Sequence, residues 1–128
     1  MFLNLSPDII YLEKKDGSIL TLEPSKVLGE DGIRMRYQFN SLGTVNGVEC
    51  KTIEEQSIVD IDPTKFKEID DGTIVVVAEK TALMIHKFGV SNVFGGRKNI
   101  KVMSVSTIQQ HRTETEYGTV YKVLIDYT

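Results

Sequence analysis

The sequence predicts an α+β protein with a mostly antiparallel β-sheet and one prominent apolar helix over about residues 78–88. Two patterns predict this class. Short segments of β-branched and aromatic residues, separated by Gly, Asp, Asn and Pro, recur along most of the chain and are typical of strands joined by turns. One segment, beginning near Ala78, instead has the helix-forming residues and the spacing of apolar positions that favour a helix.

The first strands are predicted in the N-terminal segment, where apolar runs are bounded by turn residues. They are expected over Phe2–Leu5, Ile9–Glu13 and Ser18–Leu22. Asp16–Gly17 is typical of a tight turn, so the second and third of these strands should form a hairpin.

Residues 33–39 alternate apolar and polar side chains, which predicts a half-buried strand with Arg34 and Arg36 on its polar face. Asn46–Gly47 indicates a tight turn between two further strands. The segment 54–62 has no decisive pattern, and Asp62–Pro63 begins either a loop or one helical turn.

The central segment has the most specific pattern. Thr73–Val77 is an unbroken β-branched apolar run, which predicts a strand buried on both faces. The helix follows over Ala78–Phe88, and Gly89 stands where a helix commonly ends. Because this helix is so apolar, we expect a partner subunit to cover part of it. Strands are then predicted at Ile100–Val105 and Thr119–Tyr127.

Length and composition predict a single domain over residues 1–128, large enough to bury a core without disulfides. The net charge of −3 argues against binding to polymeric nucleic acid, which favours a basic surface. A lone cysteine, Cys50, excludes an internal disulfide and fits a reducing cytoplasm. No apolar run approaches the ~20 residues of a spanning helix, and the first residues lack a basic signal-peptide start, so we expect no membrane partner.

The loop over residues 91–99 combines glycines, basic residues and amides. Gly95 and Gly96 permit left-handed backbone angles, which let successive N–H groups converge on an anion, and Arg97 follows at once. The alternative is a glycine turn with surface charges. Two phenylalanines near this loop, Phe88 and Phe94, are expected either to stack on a nucleobase or to pack in the core. Two asparagines, Asn92 and Asn99, are expected either to bind base or ribose edges or to stabilise turns.

We predict no catalytic residue, metal site or cofactor. His86 and His111 are the only histidines and lack a metal-ligand spacing. The chain has no nucleophile elbow, P-loop or dinucleotide fingerprint, and its acidic pairs are expected on the surface. Arginine, whose planar fork matches phosphate geometry, is the better candidate for ligand binding; the arginines are Arg34, Arg36, Arg97 and Arg112.

Several segments together resemble a family of small phage and prophage proteins that open with an Asn-Leu-Thr-Pro-His motif. Here the motif is Asn4-Leu5-Ser6-Pro7-Asp8, so its Thr and His are replaced. Later features follow in the family's order over nearly the whole chain: Pro24–Ser25, Ile33–Arg36, Asn46–Gly47, Thr73–Ile85, Arg97–Val102 and Arg112–Gly118.

The chain also resembles the phage anti-Thoeris sponge proteins, which we take to be related to that family. The resemblance implies a viral immune-evasion protein, acting in the cytoplasm of the infected bacterium, that binds cyclic ADP-ribose isomers without cleaving them. Some members also bind cyclic oligonucleotides. It further implies a homo-oligomer, either a dimer or a hexamer.

The same resemblance implies a ligand site made of an aromatic ring, an asparagine and arginines. The candidates in this sequence, joined by the glycine loop, are Phe88 or Phe94, Asn92 or Asn99, Arg112 with Arg34 or Arg36, and Gly95, Gly96 and Arg97. The alternatives are a structural or interaction protein of a phage particle or host-takeover complex, and a nucleotide-cleaving enzyme.

Overall fold

The computed structural model describes residues 1–28, 32–33, 35–58 and 63–128, with the side chain of Pro63 excepted. Within these residues the protein is α+β, and strands dominate. One four-stranded sheet has the order β1 (Phe2–Asn4), β6 (Ile74–Val76), β7 (Lys101–Val105) and β10 (Leu124–Asp126). A second has the order β3 (Ile19–Leu22), β2 (Ile10–Glu13), β9 (Gly118–Tyr121) and β8 (Arg112–Thr115). Strands β4 (Met35–Val45) and β5 (Val48–Ile58) form a two-stranded hairpin.

Both four-stranded sheets are mixed, so the expectation of a mostly antiparallel sheet holds only in part. In the first sheet β1, β6 and β7 are parallel, with Val75 paired to Leu3 on one side and to Val102 on the other. In the second sheet β2 and β9 are parallel. The sequence predicts hairpin turns between consecutive strands. It does not predict the parallel pairs, because they join strands that are far apart along the chain.

The buried run in the centre of the chain forms β6, one of the two inner strands of the first sheet. Val75, Val76 and Val77 are at most 1% exposed. Val75 and Val77 belong to the core cluster under the helices, while Val76 packs with Ile10 and Leu12 of the second sheet. The first sheet is therefore covered on both faces, which confirms the predicted burial of this strand.

The predicted helix is present as α1 (Glu79–Phe88), and Gly89 ends it at a φ of 92°. It is amphipathic, which corrects the prediction of an apolar helix. Thr81, Ala82, Met84 and Ile85 are buried, while most of the opposite side is polar and exposed. The chain itself thus covers the buried side of α1, and this helix does not require a partner subunit to cover it. A short helix, α2 (Val90–Val93), follows within the segment predicted as a loop.

The predicted final strand, Thr119–Tyr127, is wrong as a single element. It is divided between β9 in the second sheet and β10 in the first. Between them, the Lys122 N–H donates to the His111 carbonyl and the Val123 carbonyl accepts from the Ser106 N–H. These bonds fix the chain at the point where it passes from the second sheet to the first. The alternation of apolar residues continues through this point, so the sequence pattern does not reveal the change of sheet.

The Asn4 side chain fastens the N-terminal strand to the second sheet. It is 2% exposed, and its amide donates to the carbonyls of Asp8 at 2.7 Å and Leu22 at 2.9 Å. Its Oδ1 accepts from the Ser6 N–H and the Ser6 hydroxyl. Both the NH2 group and the oxygen of the Asn4 amide are thus hydrogen-bonded within the protein. The Asn-Leu-Ser-Pro-Asp segment therefore has a structural role, which is to join the N-terminal strand to the second sheet.

Candidate ligand-binding groove

A groove of about 310 Å³ lies between helix α1 and the β4–β5 hairpin. One wall is the helix stripe Lys80, Leu83, Met84 and Lys87, whose spacing of i, i+3, i+4 and i+7 places these residues along one side of a helix. The other wall comes from the hairpin and consists of Tyr37, Ile53 and Gln56. The volume is at the lower end of the range for small-molecule sites.

The hairpin wall is organised by strand register. Tyr37 is paired with Gln56, and Phe39 is paired with Ile53, so each pair projects from the same face. The rings of Tyr37 and Phe39 stack with centroids 6.1 Å apart and planes inclined by 23°. Together they offer a flat apolar surface beside one side-chain amide.

The helix wall supplies positive charge. Lys80 and Lys87 are exposed, and neither forms an ion pair with any residue that the structure describes. Seven residues along a helix correspond to about 10.5 Å, so two flexible ammonium groups border the groove at opposite ends. Leu83, half exposed, and Met84 provide apolar contact between them. The groove thus combines two cations, an aromatic surface and an amide, which suits a phosphorylated molecule with a flat ring.

The predicted diglycine loop has the backbone conformation that the sequence indicated, with φ of 65° at Gly95 and 90° at Gly96. Its N–H groups are used inside the protein, however. The Gly96 N–H donates to the Ser91 carbonyl at 2.6 Å, and the Arg97 N–H donates to the Phe94 carbonyl. A Cβ at Gly95 would lie 3.2 Å from the Phe66 ring, so this glycine also allows close packing.

Arg97 is bound to the protein by three acceptors. Its guanidinium donates to the carbonyls of Phe66 and Ile69, each at 2.7 Å, and to the Asp71 carboxylate at 2.6 Å. It therefore holds the 3-10 helix Pro63–Glu68 and the turn after it against the glycine loop. In this arrangement most of the fork is already occupied.

The two candidate phenylalanines differ sharply in exposure. Phe94 is fully buried and packs edge-to-face on Phe66 with centroids 5.5 Å apart. Phe88 is 46% exposed at the end of α1. The Asn92 amide donates to the Phe88 carbonyl at 2.8 Å, so it stabilises the end of the helix. Asn99 is exposed and lines a separate open depression beside Lys98 and Lys101.

The candidate arginines that the structure describes, Arg36, Arg97 and Arg112, lie on different elements. Arg34 lies outside the described residues. Arg36 is exposed on β4, beside Ser57 in register. Arg112 begins β8 in the second sheet and its Nε lies 3.5 Å from the Glu114 carboxylate. A ligand role for these residues stays a prediction.

Sequence reasoning overlooked the residues of the groove. Lys80 and Lys87 form a helical stripe with Leu83 and Met84 in the sequence, but lysines on a helix are usually solvated, so the stripe alone does not predict a ligand site. The alternation over residues 33–39 puts Tyr37 on the apolar face of its strand, and in the structure Tyr37 is half-buried. What faces that strand depends on tertiary packing, which the sequence pattern does not contain.

Both histidines lie close to polar atoms of the described chain. Ser106 Oγ lies 2.8 Å from His111 Nδ1, but Ser106 is only 4% exposed, so the hydroxyl is closed to a substrate. His86 Nδ1 lies 2.9 Å from the Tyr127 carbonyl and connects α1 to the end of the chain. Among the described residues there is no group of three or more His, Cys, Asp or Glu side chains suited to a metal ion.

Comparison with known proteins identifies no matching family model, no similar curated protein and no similar solved structure. In the parts of the chain that the structure describes, no helix has the length and apolarity needed to cross a membrane.

Proposed function

We propose that the protein binds a cyclic nucleotide immune signal in the groove between α1 and the hairpin and sequesters it without cleavage. The ligand class is a cyclic ADP-ribose isomer, with cyclic oligonucleotides as a related class. On this proposal it is a phage immune-evasion protein in the cytoplasm of the infected bacterium. The observation that carries the proposal is that Lys80 and Lys87 line the same groove as the Tyr37 ring, which stacks on Phe39.

The chemistry of the ligand fits these walls. A pyrophosphate carries two negative charges, and two ammonium groups with no ion-pair partner among the described residues flank it at the two ends of the helix stripe. An adenine ring is flat and apolar on its faces, so it stacks on tyrosine or packs on Leu83 and Met84. The Gln56 amide has both donor and acceptor atoms for a base or ribose edge. Tight retention of a signal requires binding alone and no general base.

The resemblance to anti-Thoeris sponge proteins is a second argument for the same class of ligand, and it rests on sequence motifs instead of on the groove. It places the site at the glycine loop and arginines, whereas the geometry favours the groove. The two locations make different predictions for the same binding experiment.

Binding is tested by calorimetry and thermal shift with a panel of cyclic ADP-ribose isomers. We expect Lys80→Ala and Lys87→Ala each to weaken binding by about 1 kcal/mol or more, and Tyr37→Ala by about 1–3 kcal/mol through loss of stacking. Lys122→Ala, which removes an exposed lysine outside the groove, is the matched control. A loss on Arg112→Ala with no effect of the groove variants would place the site elsewhere.

Sequestration is tested separately from binding. The complex is heated and the released ligand is analysed by mass spectrometry. Recovery of the intact cyclic molecule is the expected result, and recovery of linear ADP-ribose alone would identify an enzyme.

The second candidate is a structural or interaction protein of a phage particle or host-takeover complex. The exposed apolar residues on the hairpin favour it, since such residues often mark protein contacts. Copurification with virion proteins and no thermal shift with any cyclic nucleotide would support this alternative.

A further inference from the structure

The β4–β5 hairpin is unusually exposed for its length. Each strand has 11 residues, and five large apolar side chains on it are at least half exposed: Phe39, Leu42, Val45, Val48 and Ile53. Among the described strands, β4 pairs only with β5, and β5 only with β4. An isolated two-stranded hairpin is marginally stable in water, so a further strand at one edge would stabilise it.

The two edges of the hairpin differ in charge. Strand β5 carries Glu49, Lys51, Glu54 and Glu55, and charges of this kind usually protect a strand edge from pairing. Strand β4 carries Arg36 as its single charge and contains no proline. Helix α1 packs on the β5 side of the hairpin. The edge of β4 is therefore the one suited to pairing.

We propose that β4 pairs antiparallel with β4 of a second copy of this chain, which gives a continuous four-stranded sheet across a two-fold axis. The register of the hairpin shifts twice, between Gln38 and Phe39 and between Ser41 and Gly43. At the first shift the residue without a partner is Glu54 of β5, and at the second it is Leu42 of β4, so β4 itself runs without an inserted residue from 35 to 41. The centre of this stretch is Gln38. A two-fold axis there places each residue opposite the one at the same distance on the other side of Gln38.

This register is favoured by the side chains that it brings together. Tyr37 comes opposite Phe39 of the second copy, on the face where these rings already stack, and aromatic cross-strand pairs stabilise sheets. Arg36 comes opposite Asn40 of the second copy, so the two arginines lie at opposite ends of the pairing and do not repel each other. Pairing through β5 would instead join two strands with a net charge of −2 each (three glutamates and one lysine).

The pairing also extends the groove. Tyr37 lines the groove of its own copy, and in the proposed sheet Phe39 of the second copy lies beside it. Each subunit thus contributes a ring next to its neighbour's site. This consequence rests on the proposed ligand site, but the pairing itself does not, and it is measured without ligand.

The pairing is tested by sedimentation of the full chain over a dilution series. We expect a dimer for the native protein. Gln38→Lys should raise the dimer dissociation constant about tenfold or more, because the axis places the two lysines opposite each other. Thr52→Lys, which puts the same charge on β5, is the matched control and should leave the dimer dissociation constant unchanged. Unchanged melting temperature and circular dichroism show that the variants are folded.

A mixture of Gln38→Lys with Gln38→Glu should restore the dimer as a mixed species. In a Cys50→Ser background, Gln38→Cys should form an intermolecular disulfide on mild oxidation, because directly opposite Cα atoms in an antiparallel pair are about 4.5–5.5 Å apart. Thr52→Cys in the same background should remain monomeric. A monomer at all concentrations, or a dimer that is sensitive to Thr52→Lys and insensitive to Gln38→Lys, would overturn the proposal.

Discussion

The Arg97 guanidinium stabilises three groups that lie 26 to 31 residues earlier in the chain. Two are the carbonyls of Phe66, within the 3-10 helix, and of Ile69, directly after it, and the third is the Asp71 carboxylate. A lysine has one point charge and cannot reproduce this fork. The Arg97 side chain is 26% exposed. If it were removed, water would therefore replace only some of its hydrogen bonds to these three groups.

Arg97→Ala is therefore expected to lower the free energy of unfolding by about 2 kcal/mol, since it removes charge-assisted bonds to partly buried carbonyls. Urea unfolding gives the value. Lys98→Ala, at the adjacent exposed position, is the control and should change stability by less than about 0.5 kcal/mol. Equal stability of the two variants would show that the contacts of Arg97 contribute nothing.

Arg97 and Phe94 also show where residue types are insufficient for prediction. The glycines beside them have the left-handed angles that the sequence indicated, because glycine has no Cβ and adopts positive φ without steric strain. Whether a guanidinium then faces a ligand or a carbonyl from residue 66 depends on a long-range contact. The same holds for Phe94, whose burial requires Phe66 to be opposite it.

At the scale of elements, local chemistry predicts the helix and the turns well. Helix α1 begins one residue after its predicted start, and Asn46 and Gly47 have the positive φ values, 51° and 79°, of a tight hairpin turn. The length of β5 was not predictable, because a strand exposed on both faces has no apolar periodicity. The parallel pairing of β1, β6 and β7 likewise depends on partners distant in sequence.

Two glycines with positive φ are predicted to differ strongly when replaced by alanine. At Gly47 a Cβ would meet no atom within 4 Å, so only backbone strain of about 1 kcal/mol is expected. At Gly32 a Cβ would overlap the Leu5 carbonyl oxygen, in the segment that holds the N-terminal strand. Gly32→Ala should therefore cost about 3 kcal/mol or more.

Urea unfolding of the two alanine variants measures this difference. Gly47→Ala serves as the control for φ strain alone. If the two variants lose the same stability, the close approach of residue 32 to Leu5 does not occur in solution.

At the scale of the whole molecule, stability is unevenly distributed. The first sheet is covered by the helices on one face and by the second sheet on the other, and its central residues are inaccessible to water. The distal part of the hairpin, residues 38–49, is exposed on both faces. A molecule built this way unfolds locally at the hairpin long before it unfolds globally.

Hydrogen exchange should reveal this gradient. In dilute protein, amides of Val75, Val76 and Val102 are expected to exchange only through global unfolding, because their strands are buried on both faces. Amides that pair β4 with β5 near the turn should exchange through local opening, at least about tenfold faster, which corresponds to about 1.4 kcal/mol. If the hairpin copies pair, the amides of residues 35–41 should become slower as protein concentration rises, while those of the first sheet do not change. Uniform protection at every concentration would mean that the hairpin is stabilised by contacts within one chain, and that its exposed apolar side chains need no partner.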